Sequence, residues 1–125
     1  MKHFYKVVFI TMISMSVYSK DINTQKIEDR TNLKNYGFTY CLSKSSYKGM
    51  VDEAGLAQGG YFQFGNHTES AYQNLRKYVN NYLSKKTSVY KESEKSAILM
   101  HCLDMYNLKE YETLLKKQDK YLIPR

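Results

Sequence analysis

The chain has 125 residues, 25% of them charged, and its 19 Lys and Arg against 12 Asp and Glu give a formal charge of +7. That length holds one domain. The two signs are interspersed with no basic stripe or arm, which argues against a nucleic-acid partner.

At the start, Lys2 and Lys6 precede an apolar run from Val7 to Val17, broken only by Thr11, Ser14 and Ser16. The run is too short to cross a bilayer and has the length of a signal-peptide core. Val17 and Ser19 are small enough to precede a cleavage after Ser19. Residues 1–19 are therefore expected to be a cleaved export signal, with no stable membrane insertion of the mature protein. Removal takes two lysines and no acid, so the mature chain stays basic.

Residues 20–29 are polar, with Ile22 and Ile27 isolated, and are expected to form a flexible lead-in to a single helical domain over 30–123. Leu33, Tyr36, Gly37, Tyr40 and Cys41 then fall at i, i+3, i+4, i+7 and i+8, one face of a first helix. Thr31 or Asn32 caps it, and Ser45-Ser46 followed by Gly49 marks its end. A second helix from Met50 to Gln58 carries Met50, Ala54 and Ala57 on one side and stops at Gly59-Gly60. For the aromatic link Tyr61, Phe62 and Phe64, closed by Gly65, extended chain and continued helix both remain open.

Asn66 and Thr68 compete to cap a third helix, with Glu69 placed for a capping box on Asn66. Leu75, Tyr78, Val79, Tyr82 and Leu83 repeat the five-position face. The pattern dissolves into a polar loop from Ser84 to Ser93. Leu99, Cys102, Leu103 and Tyr106 define a fourth helix, and an Asn107–Glu110 capping box opens a fifth through Tyr111, Leu114 and Leu115. Pro124 follows too late to matter. No segment alternates with period two, and no repeat is present. The fold class expected is all-α: a compact bundle of about five short helices after a cleaved signal peptide.

The two cysteines, Cys41 and Cys102, lie on two of these helices. In an oxidising compartment an even count in a small exported domain favours one disulfide, whereas in the cytosol both would be buried thiols. The loop closed by such a bridge corresponds to about 4 kcal/mol of chain entropy.

The catalytic inventory is thin. The mature chain has two histidines, His67 and His101, and His101 diverges from Cys102 by about 100° on a helix. No HxxxH, CxxC or carboxylate cluster stands at metal-ligand spacing. Gly55-x-x-x-Gly59-Gly60 lacks the Lys-Ser/Thr of a phosphate loop, and Asp52-Glu53 point different ways. Asn66-His67-Thr68 matches the glycosylation triplet, a match common by chance. Neither a metal nor a cofactor is expected, and the chain reads as no enzyme.

Thirteen tyrosines against five Phe and no Trp are the unusual component. On helix faces they read as core residues whose hydroxyls reach water, or as partner-binding groups. Tyr90 differs, since it lies in the polar loop beside Val89.

Three segments together resemble a known family. Asn35-Tyr36-Gly37-Phe38-Thr39-Tyr40-Cys41-Leu42, with Lys44 and Tyr47 following, is similar to the first helix of the type VI secretion amidase immunity proteins. Ala54-Gly55 through Gly59-Gly60-Tyr61, then Gly65, resembles their small-residue second segment. Met100-His101-Cys102-Leu103-Asp104-Met105-Tyr106, followed by Asn107-Leu108-Lys109-Glu110-Tyr111, is similar to their C-terminal helix pair. The likeness runs from about Asn32 to Gln118, carried by the ordered set rather than by any single motif.

The resemblance implies a small periplasmic inhibitor that binds and blocks a peptidoglycan amidase delivered by neighbouring cells. It also implies a homodimer in which a helix of one subunit and a protruding loop of the other reach the enzyme. Transferred to this chain, the candidate partner-binding residues are Lys85, Lys86, Thr87, Ser88, Val89, Tyr90 and Lys91 of the loop. Glu69, Gln73, Arg76 and Lys77 on the solvent face of the third helix complete the set. Tyr90 is read either as an anchor for the amidase cleft or as a residue folded back onto the bundle. The alternative function is a general periplasmic adaptor, or a wall- or membrane-surface binding protein without catalytic activity; a peptidoglycan hydrolase ranks third.

Overall fold

A computed structural model describes residues 21–125 apart from Glu92 and Glu94; the expected export signal lies outside the described residues. Five α-helices follow one another: α1 (Ile22–Leu42), α2 (Lys48–Phe64), α3 (Glu69–Ser84), α4 (Ile98–Tyr106) and α5 (Lys109–Lys117). A short 3-10 helix, Gln118–Tyr121, closes the chain. Among the described residues the only strand-like pairings are two isolated bridges, His67 with Leu122 and Val89 with Ser96. The all-α expectation holds.

α1 is the central element, and α2, α3, α4 and α5 all pack against it. Of the five expected residues Leu33, Tyr36, Gly37 and Cys41 are buried and Tyr40 is half-buried, with Asp29 and Thr39 added to the face. Ala71, Tyr72, Leu75 and Val79 of α3 meet this face, and Met105, Tyr111 and Leu115 complete the core. The Tyr36 and Tyr72 rings pack edge to face with centroids 4.7 Å apart, and Phe62 sits 4.8 Å from Tyr72. Such pairs contribute about 0.5–1.5 kcal/mol beyond their buried area.

Cys41 and Cys102 form a disulfide with their Cα atoms 5.8 Å apart. Both are fully buried, so the bridge ties the C-terminal end of α1 to the middle of α4. α4 has nine residues. A helix that short is marginal in isolation, and its attachment to α1 holds it in place.

Several local expectations need correction. The segment expected as a flexible lead-in is helical from Ile22, with Asp21 as N-cap accepting from the Asn23 amide. Residues remote in sequence hold it: Arg30 pairs with Asp119 and Arg125 with the buried Asp29. α2 runs through Gly59-Gly60 to Phe64, which settles the aromatic link as helix. A Cβ at either glycine would meet nothing within 4 Å, so no turn or close approach requires them there.

Neither capping box forms. Thr68 rather than Asn66 is the N-cap of α3, and the Asn66 carboxamide instead donates to the Ile123 carbonyl at 3.0 Å. Asn107 is the C-cap of α4, and Leu108 precedes α5. In α4 the buried residues are Ile98, His101, Cys102 and Met105, while Leu99 and Leu103 are exposed. The helix is turned by about one residue, ~100°, from the expected face.

Candidate partner-binding surface

The loop after α3 is built rather than loose. The Tyr90 amide donates to the Lys95 carbonyl at 2.9 Å, and the Ala97 amide donates to the Ser88 carbonyl at 3.2 Å. The Ser88 carbonyl also faces the His101 imidazole Nε2 at 3.3 Å. Two rungs and one buried histidine thus fasten the loop to the start of α4. The disulfide fastens α4 to α1 in turn.

On this frame Lys85, Lys86, Thr87, Ser88, Val89 and Lys91 are exposed, and Tyr90 is half-buried. Tyr90 lines a hollow with Tyr47, Met50, Ile98 and Leu99. Val89, 52% exposed, is the apolar residue the loop presents to solvent. Lys86 holds its ammonium 4.9 Å from the Tyr82 ring centroid, joining the loop base to α3.

Glu69, Gln73, Arg76 and Lys77 lie at helical spacing on the outer side of α3, where Gln73 and Lys77 are exposed. Glu69 and Arg76 pair with each other. Arg76 also donates to the Tyr36 hydroxyl at 2.8 Å, and the Gln58 carboxamide donates to the same oxygen at 3.3 Å. Glu69 and the Tyr36 hydroxyl hold the Arg76 guanidinium above its already high pKa. Arg76 is therefore a braced charge on a rigid helix, and Gln73 and Lys77 flank it.

Cys41 and Cys102 are consumed in the disulfide, and His101 is turned to a backbone carbonyl. His67 is buried with neither ring nitrogen hydrogen-bonded, and burial lowers its pKa despite the nearby Asp29 and Asp119. Among the described residues no group of three or more His, Cys, Asp and Glu is placed to hold a metal ion. No helix among them is long and apolar enough to cross a membrane.

Over residues 31–115 the chain matches the family described as Tai4, type VI secretion system (T6SS) amidase immunity protein. The chain belongs to this family. None of the curated proteins matches it. Membership of the Tai4 family agrees with the resemblance read from the three segments around Tyr36, Gly55 and Cys102. The matched span includes most of α1, all of α2, α3 and α4, the loop, and most of α5.

Sequence reasoning missed the role of Tyr36 as the hydroxyl that braces Arg76 and Gln58. A tyrosine on the core face of α1 and a basic residue on α3 were the available signal. It also missed the solvent exposure of Leu99, Met100 and Leu103, for which no local pattern gives a sign.

Proposed function

We propose that this Tai4-family chain binds and inhibits a type VI secreted peptidoglycan amidase in the periplasm, protecting the cell that makes it. The observation that carries the reading is the pairing of a fastened, lysine-rich loop with the braced outer stripe of α3. Both elements lie within the matched span, residues 31–115. Loop residues 85–91 supply Val89 as the apolar contact. Lys85, Lys86 and Lys91 steer encounter and raise the association rate more than they hold the complex. Glu69, Gln73, Arg76 and Lys77 form the adjoining helical contact. The protein acts by occlusion and performs no reaction.

Export supports the same reading. A cleaved signal over 1–19 delivers the chain to an oxidising compartment, where the Cys41–Cys102 disulfide is stable. A homodimer is part of the proposal. The outward side of α2 carries bare Gly55 and Gly59 beside exposed Leu56 and Phe62, a surface a second backbone can approach closely.

Survival tests the function. Cells exporting the cognate amidase should lyse unless the chain is exported with it. Protection by a chain lacking residues 1–19 would contradict a periplasmic site of action. Lysis despite export of the full chain would contradict inhibition.

A further inference from the structure

The end of the chain runs back over the turn between α2 and α3. The Thr68 amide donates to the Tyr121 carbonyl at 2.8 Å, the Ile123 amide donates to the Asn66 carbonyl at 2.9 Å, and His67 bridges to Leu122 between them. Two arginine pairs fasten this strap, residues 118–125, to the start of α1. Arg30 grips both carboxylate oxygens of Asp119, and Arg125 donates to the buried Asp29 at 3.0 Å. The strap and the α1 residues through Arg30 lie outside the span matched to the family. Thr68 is the N-cap of α3, so the strap also steadies the first turn of the helix that carries Glu69.

At the centre of these contacts sits His67, 5% exposed, with neither ring nitrogen hydrogen-bonded. Asp29 and Arg30 of α1 and Asp119 of the strap lie near enough to act on its charge, and Lys26 acts on Asp119 in turn. Tyr72 of α3 meets the His67 backbone with its hydroxyl and stays neutral, because burial raises its pKa. While neutral, the imidazole forgoes only its hydrogen bonds. Once charged it needs water or a carboxylate, since an unpaired buried charge is far more costly. Both nearby carboxylates are already committed to the arginines that hold the strap.

We propose that residues 118–125 form an acid-opened latch worked by His67. The charged imidazole takes Asp29 from Arg125 or Asp119 from Arg30, and the strap lifts from Asn66 and Thr68. Burial makes the closed form bind the proton less readily than an open one, whose imidazole has the ordinary value of about 6.5. Opening is therefore favoured as pH falls below that value, by about tenfold at about pH 5.5. Above neutral pH the latch is closed. It stands apart from the amidase contact and does not rest on it.

The test follows the full mature chain by NMR. Amide protection is measured at about pH 7.5 and about pH 5.5, each corrected for the intrinsic exchange rate. The Thr68 and Ile123 amides should lose about tenfold in protection at the lower pH, while Leu75 and Val79 in the core of α3 keep theirs. His67→Gln, which cannot charge, should keep the strap closed at both pH values. Because that variant can fail to fold, the His67 ring shift is also followed in the unaltered chain. It should titrate with the same midpoint as the Ile123 amide shift. Titration of His67 with Thr68 and Ile123 still protected would overturn the proposal, as would an equal loss of protection in folded His67→Gln. Loss by the same factor at Leu75 and Val79 would overturn it too, since the whole bundle would then be opening.

Discussion

The Tyr111 hydroxyl occupies the space where Gly37 would carry a side chain. It donates to the Lys34 carbonyl at 2.6 Å, one turn earlier on α1, and a Cβ on Gly37 would collide with the hydroxyl. Tyr111 is fully buried and burial raises its pKa far above the usual phenol range, so the neutral donor form persists. The same close approach recurs at Gly65 under the Tyr72 hydroxyl. α5 is thus docked on α1 by one ring that only glycine admits.

Gly37→Ala should therefore destabilise the protein by about 1–3 kcal/mol, the usual cost of overpacking. Tyr111→Phe should cost about 1 kcal/mol for the lost hydrogen bond. The double variant separates steric from conformational effects. With the hydroxyl gone, adding the alanine methyl should cost less than it does alone, by at least about 0.5 kcal/mol of coupling in urea melts. Strictly additive costs would mean that the hydroxyl and Gly37 do not meet.

The faces that carry the core were legible in the sequence because packing on α1 preserves helical periodicity. Leu33, Tyr36, Gly37 and Cys41 of α1 and Leu75 and Val79 of α3 are buried as spaced. What escaped depends on contacts between remote residues. The first two turns of α1 have a polar sequence and are held by Arg125 on Asp29, 96 residues away, and by Asp119 on Arg30, 89 away. Asn66 leaves its capping position because the C-terminal segment offers its carboxamide the Ile123 carbonyl. The rotation of α4 escaped too. Its apolar residues occupy more than one face, and burial of His101 against the Ser88 carbonyl selects among them. Of the candidate surface, the loop and its lysines were readable as a break in periodicity, whereas the fastening that shapes it was not.

Breaking the disulfide should loosen the molecule unevenly. Cys102→Ala should lower stability by about 2–5 kcal/mol, measured as a fall in the urea midpoint. The denatured, unreduced mature protein should titrate no free thiol. Under reduction, amide exchange should accelerate first in α4 and in the loop fastened to it, while α3 keeps its protection. Uniform acceleration across α1 to α5 would contradict a local role for the bridge.

Acidification provides a third test. Burial lowers the His67 pKa, the reverse of an imidazole that gains a partner. The folded state therefore binds its proton less readily than the unfolded state, whose value is about 6.5. The stabilising contribution is complete above that pH and is lost progressively as pH falls below it through the folded value. Asp119 is lowered by its hydrogen bond from Arg30, so its own contribution is lost only in the carboxylate range. The urea midpoint should drop between pH 7.5 and about 5.5, and His67→Gln should flatten that slope. An unchanged slope in the variant would remove His67 as its source.

The loop residues should separate cleanly. Val89 is exposed, and Tyr90 is half-buried and lines a hollow with Ile98 and Leu99. Val89→Ala should weaken amidase inhibition by about 1 kcal/mol or more and leave the melting temperature unchanged. Tyr90→Ala should lower the melting temperature as well, because its side chain is half-buried. Inhibition unaltered in the double variant would exclude the loop as an anchor.

The central claim is that this chain silences a peptidoglycan amidase by binding it. The direct measurement is release of cleaved crosslinks from purified cell wall by the cognate amidase, titrated with the mature protein. Inhibition by the proposed complex predicts a stoichiometric fall to background activity, reversed by mutating the loop and the outer stripe of α3 together. Full activity at saturating protein, with the disulfide intact, would contradict it.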